Sequence, residues 1–549
     1  MKSVKNAQRV ILIAFAFSGG AALMYEVVWT KVLSLVIGST VYAVSTMLAS
    51  FMGGLSIGSY LGGRKADQVE NPMLALGFVE LGIGFFGILT LFLIGRIQPL
   101  YAFLFMALHL SFNSFSAVQF FLCFLIMLLP TMLMGATFPI VCKALVKGEG
   151  EVGKDTGYAY AANTVGAICG SIAAGFIFIP FVGLKGANII AASVNILTSL
   201  ILIGYSRRFG WLRSAVIVVL VSISLVGISP YIYAFDFVYP LNYYTANRFV
   251  KAGISPMFFF GGLGGGAVTL LFNRENEYGV VQVFQNNING EKFLMNNGKI
   301  EGGIGSDRNN QLLLTYLPIA AKPGAKSFLS IGLGTGMTLS SAMESGIKEI
   351  DCVEINPEVG KAVENHFYPN IFAEPGRPKF ILADARNYLA INPKKYDIIS
   401  SEPSYPTDDT VSHLFSKEFF EMAKTRLTDN GVFCQWVPFH ILGNRGTTVM
   451  IKTFTEVFPN SYIWNVYSSS NTGAVDILMI GSKAKEPESY ESIKSRLPIH
   501  LLTGGEEAIK PAMPADKLDD LKHNRRIPIN SDDRPIIEFM AAKNMLTGL

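Results

Sequence analysis

Ser327-Phe328-Leu329-Ser330-Ile331-Gly332-Leu333-Gly334-Thr335-Gly336 decides the fold of the C-terminal part of this 549-residue chain. Five largely apolar residues run straight into three alternating glycines, the pattern of a buried strand that turns tightly and opens a helix. The sequence beyond supplies the context that a glycine triplet alone lacks. Ile350 to Val353 reads as a second strand and ends at Glu354, 22 residues beyond Gly332. At that position a carboxylate can accept hydrogen bonds from both hydroxyls of a ribose. Lys379 to Leu382 reads as a third strand, followed by Asp384-Ala385, where a carboxylate can accept from an adenine amino group. Tyr396 to Ile399 is a fourth, leading into Ser401-Glu402-Pro403-Ser404-Tyr405-Pro406. Each polar feature follows the carboxyl end of a strand, where open α/β sheets bind ligands. The pattern predicts a Rossmann-like, nucleotide-binding α/β domain over 323–549.

Upstream, the period is that of strands. Val268 to Phe272 and Tyr278 to Phe284 read as strands joined by a polar turn over Asn273 to Glu277, and Asn296-Asn297-Gly298 is a tight hairpin signal. These elements predict a small β-strand subdomain over 267–322, reached through a membrane-proximal linker over 232–266.

Further upstream the solvent changes. Mean hydropathy is +0.38 and only 16% of residues are charged, too apolar for an ordinary soluble protein of this length. The first 231 residues hold 14 Lys or Arg and 7 Asp or Glu, which leaves 31 and 34 for the rest. Apolar runs long enough to cross a bilayer lie near 9–29, 38–62, 73–95, 117–141, 157–181, 187–205 and 213–230. The expectation is a multi-pass helical membrane domain over 1–231 with seven spans. Uncharged stretches at Ile97 to Phe112 and Ile254 to Phe272 leave an eighth open. Lys2, Lys5 and Arg9, then Arg64 and Lys65, Lys143 to Lys154, and Arg207 to Arg213 fall in alternate connections, which places them in the cytosol of an inner-membrane protein. Seven spans would then leave the C-terminal domain outside.

Within the spans Glu26 and Glu80 are the conspicuous ionisable residues. An intramembrane charge points to function by default, against which stands an interfacial or packing role. Gly53, Gly54, Gly58, Gly62 and Gly63 suit close helix contacts, and Gly62 to Asp67 is similar to a short loop of major-facilitator transporters. Five scattered cysteines without a CxxC pair indicate neither a disulfide framework nor a metal site.

The C-terminal motifs together resemble the aminopropyltransferases, of which spermidine synthase is the best known, over roughly Val268 to Pro438. Asn297-Gly298-Lys299-Ile300-Glu301, then Asp307, Gln311 and Leu317-Pro318, are similar to the family's DGxxQ, DExxYQE and LP elements. The glycine turn, Glu354, Asp384 and Gly431 to Gln435 also match. Tyr25 to Trp29, Gly135 to Pro139, Tyr160 to Asn163 and Asp532 to Pro535 resemble its membrane-fused branch. The resemblance implies a class I methyltransferase-type, spermidine synthase-like fold. It further implies that Gln311, Gly332, Gly334, Gly336, Glu354, Asp384, Ala385 and Glu301 hold a nucleoside donor, S-adenosylmethionine or its decarboxylated form. It implies no metal, no cofactor beyond that substrate, no nucleic acid, and a polyamine and a homo-oligomer as candidate partners.

The departures are concentrated. The family's D-x-x-D-P becomes Glu402 and Tyr405-Pro406, which assigns the general base to Glu402. The acceptor-binding Tyr and Glu of YQE become Asn310 and Leu312, leaving Asp307, Asn310 and Tyr405 to hold the acceptor or the substrate tail. With an external amine, a base must remove the ammonium proton before the lone pair can attack. With S-adenosylmethionine itself, its own carboxylate can attack the γ-carbon, releasing methylthioadenosine and homoserine lactone without base or acceptor. Four readings stay open: aminopropyl transfer, which the resemblance favours; S-adenosylmethionine lysis, which the lost amine contacts favour; methyl transfer, placed lower; and a polyamine transporter or nucleoside-sensing protein. Both donors are cytosolic, so the domain after Val268 is expected on the cytosolic side.

Overall fold

The computed structural model describes residues 2–37, 41–108, 112–146, 151–206, 268–276, 278–305, 307–373, 378–467, 475–486 and 488–547. Two compact units, residues 1–243 and 244–549, divide the chain.

The first unit is helical: α1 (Lys2–Ile37), α2 (Val41–Ala66), α3 (Pro72–Leu108), α4 (Phe112–Leu145), α5 (Val152–Ala173) and α6 (Ile179–Tyr205). Asn6–Ser34, Tyr42–Ala66, Pro72–Ile94, Phe120–Leu145 and Val152–Tyr205 are five helical stretches long and apolar enough to cross a membrane. The last carries two of the runs seen in the sequence. A π-helical turn at Ala174–Phe178 and a break at Gly183, with φ +71° and ψ 177°, divide it. That backbone conformation favours glycine. Most of the uncharged stretch 97–112 continues α3. The run 213–230 and the stretch 254–267 lie outside the described residues, and Val268 to Phe272 is strand. Small residues set the helix spacing: a Cβ on Gly58 would lie 1.9 Å from Met132 O, and one on Gly135 2.1 Å from Leu55 O, so α2 and α4 pack backbone to backbone.

The second unit holds two sheets. In the smaller, β1 (Val268–Asn276), β2 (Gly279–Asn286), β3 (Lys292–Asn296) and β4 (Lys299–Gly303) form an antiparallel meander in sequence order. The Asn297-Gly298 turn has positive φ at both residues, as a tight two-residue hairpin requires. The first turn falls later than its composition suggested. β1 runs on to Asn276, because Asn273, Arg274 and Glu275 pair with Gln282, Val281 and Val280 and present their polar side chains on a strand.

Eight strands form the larger sheet. These are β5 (Ser327–Ile331), β6 (Glu349–Glu354), β7 (Lys379–Leu382), β8 (Tyr396–Ser401), β9 (Leu427–Val437), β10 (Asn460–Tyr467), β11 (Val475–Ser482) and β12 (Ile509–Pro511), in the order 12-10-11-9-8-5-6-7. Strands β5 to β9 are parallel, and β10 to β12 add antiparallel strands at one edge. Chain order reverses between β5 and β8, so the switch-point crevice opens beyond Ile331 and Ser401.

Alternation along β5 divides the core. Leu329 and Ile331 pack with Phe415, Phe433 and Phe454, while Phe328 packs with Cys352, Ile398 and the small sheet's Val281, Val283 and Leu294. Helix α7 (Arg308–Ala321) falls inside the span read as the small subdomain, yet Leu312, Leu313, Leu314 and Leu317 are buried with Val432, Cys434, Trp464 and Leu478. It therefore belongs physically to the large sheet, and it carries Asn310 and Gln311 to the crevice.

Candidate active site

The glycine turn is built by backbone geometry. Gly332, Gly334 and Gly336 have φ of +85°, +53° and +84°, and a Cβ on Gly332 would stand 2.5 Å from the backbone oxygen of Glu402. The turn after β5 therefore lies against the chain leaving β8, where the Glu402 amide donates to Ile331 O at 3.0 Å. Gly336 then caps α8 (Met337–Glu344).

Around this turn the residues predicted to hold the donor are tied down. Glu354, at the end of β6, accepts from the backbone amides of Leu333 at 3.1 Å and Asn356 at 2.9 Å, fastening the glycine turn to the second strand. Burial raises its pKa and these amides oppose the rise. Gln311 donates from Nε2 to Gly303 O at 3.0 Å and accepts from the Thr335 hydroxyl. Thr338 donates both to Gln311 O, at 3.1 Å, and to Glu402, at 3.4 Å. Gln311 thus links the small sheet, α7 and the glycine turn.

Asp384 stands two strands out from β5. It caps α10 (Ala385–Ile391; α9 is Pro357–His366), accepting from Asn387 N at 2.8 Å, and its other oxygen lies 3.8 Å from His413 Nε2. His413 beside it holds its pKa below the usual carboxylate value. Ala385 is buried directly behind it.

The remaining predicted residues gather at Glu402. Burial pushes its carboxyl up to about 8, Asp307, Glu301 and Asp476 adding to the rise and Thr338 opposing it. Glu301 accepts from the Ser404 hydroxyl at 2.7 Å. Burial pushes it to about 7, with Glu354 and Asp408 adding and Ser404 and Lys299 opposing. Lys299, 3% exposed, pairs with Asp408 at 3.3 Å. Tyr405 donates to Ile300 O at 3.0 Å, and its ring lies 5.9 Å from that of Trp436 and 5.8 Å from that of His440. Asn310 donates to Asp476 at 2.6 Å, and the other Asp476 oxygen is 3.1 Å from His440 Nδ1.

One crevice therefore unites Gln311, the three glycines, Glu354, Glu301, Asp307, Asn310, Glu402 and Tyr405. Asp384 and Ala385 sit at its outer end. Among the described residues no group of His, Cys, Asp or Glu is arranged to hold a metal.

Thr335, Thr338, His440 and Asp476 were not singled out in the sequence. The threonines lie in and just after the glycine turn, so their position was the signal. For Asp476 the signal was faint: one acid near the start of an apolar strand, 74 residues beyond Glu402. The chemistry of the assembly is plain. Several carboxylates, two with pKa values raised into the neutral range, suit a cationic ligand, because a bound positive charge relieves their repulsion and draws off their protons.

Residues 309–488 match the Spermine/spermidine synthase domain family, a stretch that begins at α7 and extends past Asp476. Spermidine synthase 2 of Hyoscyamus niger is 28% identical over 228 residues, covering 39% of this chain and 70% of that one. Putrescine N-methyltransferase 2 of Nicotiana attenuata is 29% identical over 231 residues, covering 40% of this chain and 59% of that one. A spermidine synthase solved in complex with the transition-state analogue AdoDATO aligns with 18% identity and a TM-score of 0.38, over 46% of this chain and 88% of that one.

Proposed function

From a C-terminal part that carries a spermidine synthase-like aminopropyltransferase domain, we propose that the protein is a membrane-integrated enzyme that transfers an aminopropyl group from decarboxylated S-adenosylmethionine to an amine. The donor sulfonium would lie at the glycine turn, its ribose on Glu354. The amine nitrogen attacks the aminopropyl carbon bonded to sulfur, that C–S bond breaks, its electron pair stays on sulfur, and methylthioadenosine leaves. The proton lost from the ammonium goes to Glu402.

The observation that carries this reading is the placement of Glu402. It lies against the glycine turn among Glu301, Asp307 and Asp476, with a pKa of about 8, suited to accept a proton near neutral pH. Asp476 supports it further, supplying a carboxylate on the acceptor side where Leu312 provides none.

A second reading, S-adenosylmethionine lysis, is favoured by Tyr405 and Asn310, both of which already spend hydrogen bonds on Ile300 O and Asp476. A relative named putrescine N-methyltransferase keeps methyl transfer in the comparison. Methylthioadenosine release from each donor, with and without putrescine or spermidine, separates them. Amine-dependent release from decarboxylated S-adenosylmethionine is expected. Amine-independent release from S-adenosylmethionine supports lysis, S-adenosylhomocysteine supports methyl transfer, and binding without product supports a sensor or transporter.

The apolar helices support membrane integration, and the cytosolic donors support a cytosolic site. A cysteine placed at Asn392 should then escape an impermeant thiol reagent in intact cells. Labelling there would put the domain outside.

A further inference from the structure

Two polar clusters lie inside the helical unit, and their hydrogen bonding differs. In one, Trp29 of α1 donates to Asn188 Oδ1 at 2.9 Å and Asn188 of α6 donates to Gly87 O at 3.2 Å, so each polar group is matched. The other surrounds Glu80 of α3, which is fully buried. Asn195 of α6 donates to Glu80 Oε2 at 2.7 Å, Ser18 of α1 lies beside the same carboxyl group, and Tyr25 of α1 is coupled to it electrostatically. Ser199 follows Asn195 by four residues on one face of α6.

Four buried oxygens on these three helices have no hydrogen-bond partner among the described residues: Glu80 Oε1, Asn195 Oδ1, Ser199 Oγ and Tyr25 Oη. No cationic side chain among those residues accompanies Glu80. Glycines bring the three helices together here. A Cβ on Gly87 would fall 2.5 Å from Tyr25 Oη, and one on Gly84 3.1 Å from Ala192 O and 3.5 Å from Asn195 Cβ, so α1 and α6 close directly upon this part of α3.

An acid in so apolar a setting costs heavily unless its charge and lone pairs are met. A proton on Glu80 would meet one oxygen and leave the others. A single positive ion shared by several oxygens meets both requirements, and hard monovalent ions take such neutral and anionic oxygens as ligands. We propose that Glu80, Asn195 and Ser199 form a binding site within the helical unit for a small monovalent cation, with Na+ as the probe.

The test is the thermal midpoint of the full-length protein in detergent, titrated with NaCl against choline chloride at equal ionic strength. Na+ should raise the midpoint saturably, on the order of 2–4 °C. Glu80→Gln keeps the shape but removes the charge, so it should fold and lose the Na+ response, while Ser199→Ala should need at least about threefold more Na+ for half the effect. Equal midpoints in the two salts, or an undiminished Na+ response in Glu80→Gln, would overturn the site. Should Glu80→Gln fail to fold, the Ser199→Ala titration decides alone, and an unshifted curve overturns it.

Discussion

The two halves of the crevice are built on different principles. On the side proposed to hold the donor, Glu354 and Gln311 are fastened to backbone groups of the glycine turn and the small sheet, at 2.9–3.1 Å. On the side proposed to take the acceptor, burial and then Asp307, Glu301 and Asp476 push Glu402 up to about 8, and burial pushes the adjoining Glu301, predicted to hold the donor, to about 7. The first half is ordered before a ligand arrives. The second holds unfavourable electrostatics that a cation would relieve, which is how a carboxylate becomes a base near neutral pH.

If that division is right, substitutions in the two halves change different quantities. The largest effect belongs to Glu402→Gln, which keeps the shape but cannot take the proton. Single-turnover transfer should slow by about 10² to 10⁴ while donor affinity holds, and a rate within threefold of the parent would return Glu402 to a structural role. Glu354→Ala, by contrast, should leave the chemical step alone and weaken methylthioadenosine binding at least tenfold, since hydrogen bonds to charged groups are worth roughly 1.5–3 kcal/mol each. Calorimetry on the folded variant checks this, and unchanged affinity would break the donor assignment.

A smaller effect is expected at Asp476→Asn. The KM for amine should rise about tenfold with kcat little changed, and with one negative charge gone the pKa of Glu402 should fall. Unaltered amine KM would place Asp476 outside the acceptor half.

A separate effect is on stability. A carboxyl raised in the folded state from 4.5 to about 8 favours folding below its unfolded pKa, and that contribution is lost as pH rises through 8. Ligand-free Glu402→Gln should therefore gain on the parent by roughly 2–4 kcal/mol as pH is raised from 5 to 9. A constant difference across that range would mean the acceptor half stores no such strain.

The same contrast explains what the sequence disclosed. The donor half is legible because its parts are local: β5, the glycines and Glu354 lie within one βαβ unit, and the strand period announces them. The acceptor half assembles from α7, the loop after β8, Trp436 to His440 and β11. No local pattern links Asn310 to Asp476, 166 residues apart. Asp384 shows the converse limit. Its position at the end of β7 was legible, but its contacts with Asn387 and His413 depend on an α10 cap and a distant turn. In the helical unit, hydropathy marked Glu80 as unusual, whereas its meeting with Asn195 and Ser18 required the packing of three helices.

The central claim, that Glu402 is the base for an amine, is tested most directly by the pH dependence of kcat/KM for amine with decarboxylated S-adenosylmethionine, in the parent and in Glu402→Gln. With Glu402 as base, the parent profile should rise to a pH of about 8 and then level. The Gln variant depends on amine already deprotonated in solution, so its profile should keep climbing toward the amine's own pKa, about 10. Parallel profiles for the two proteins would contradict the account.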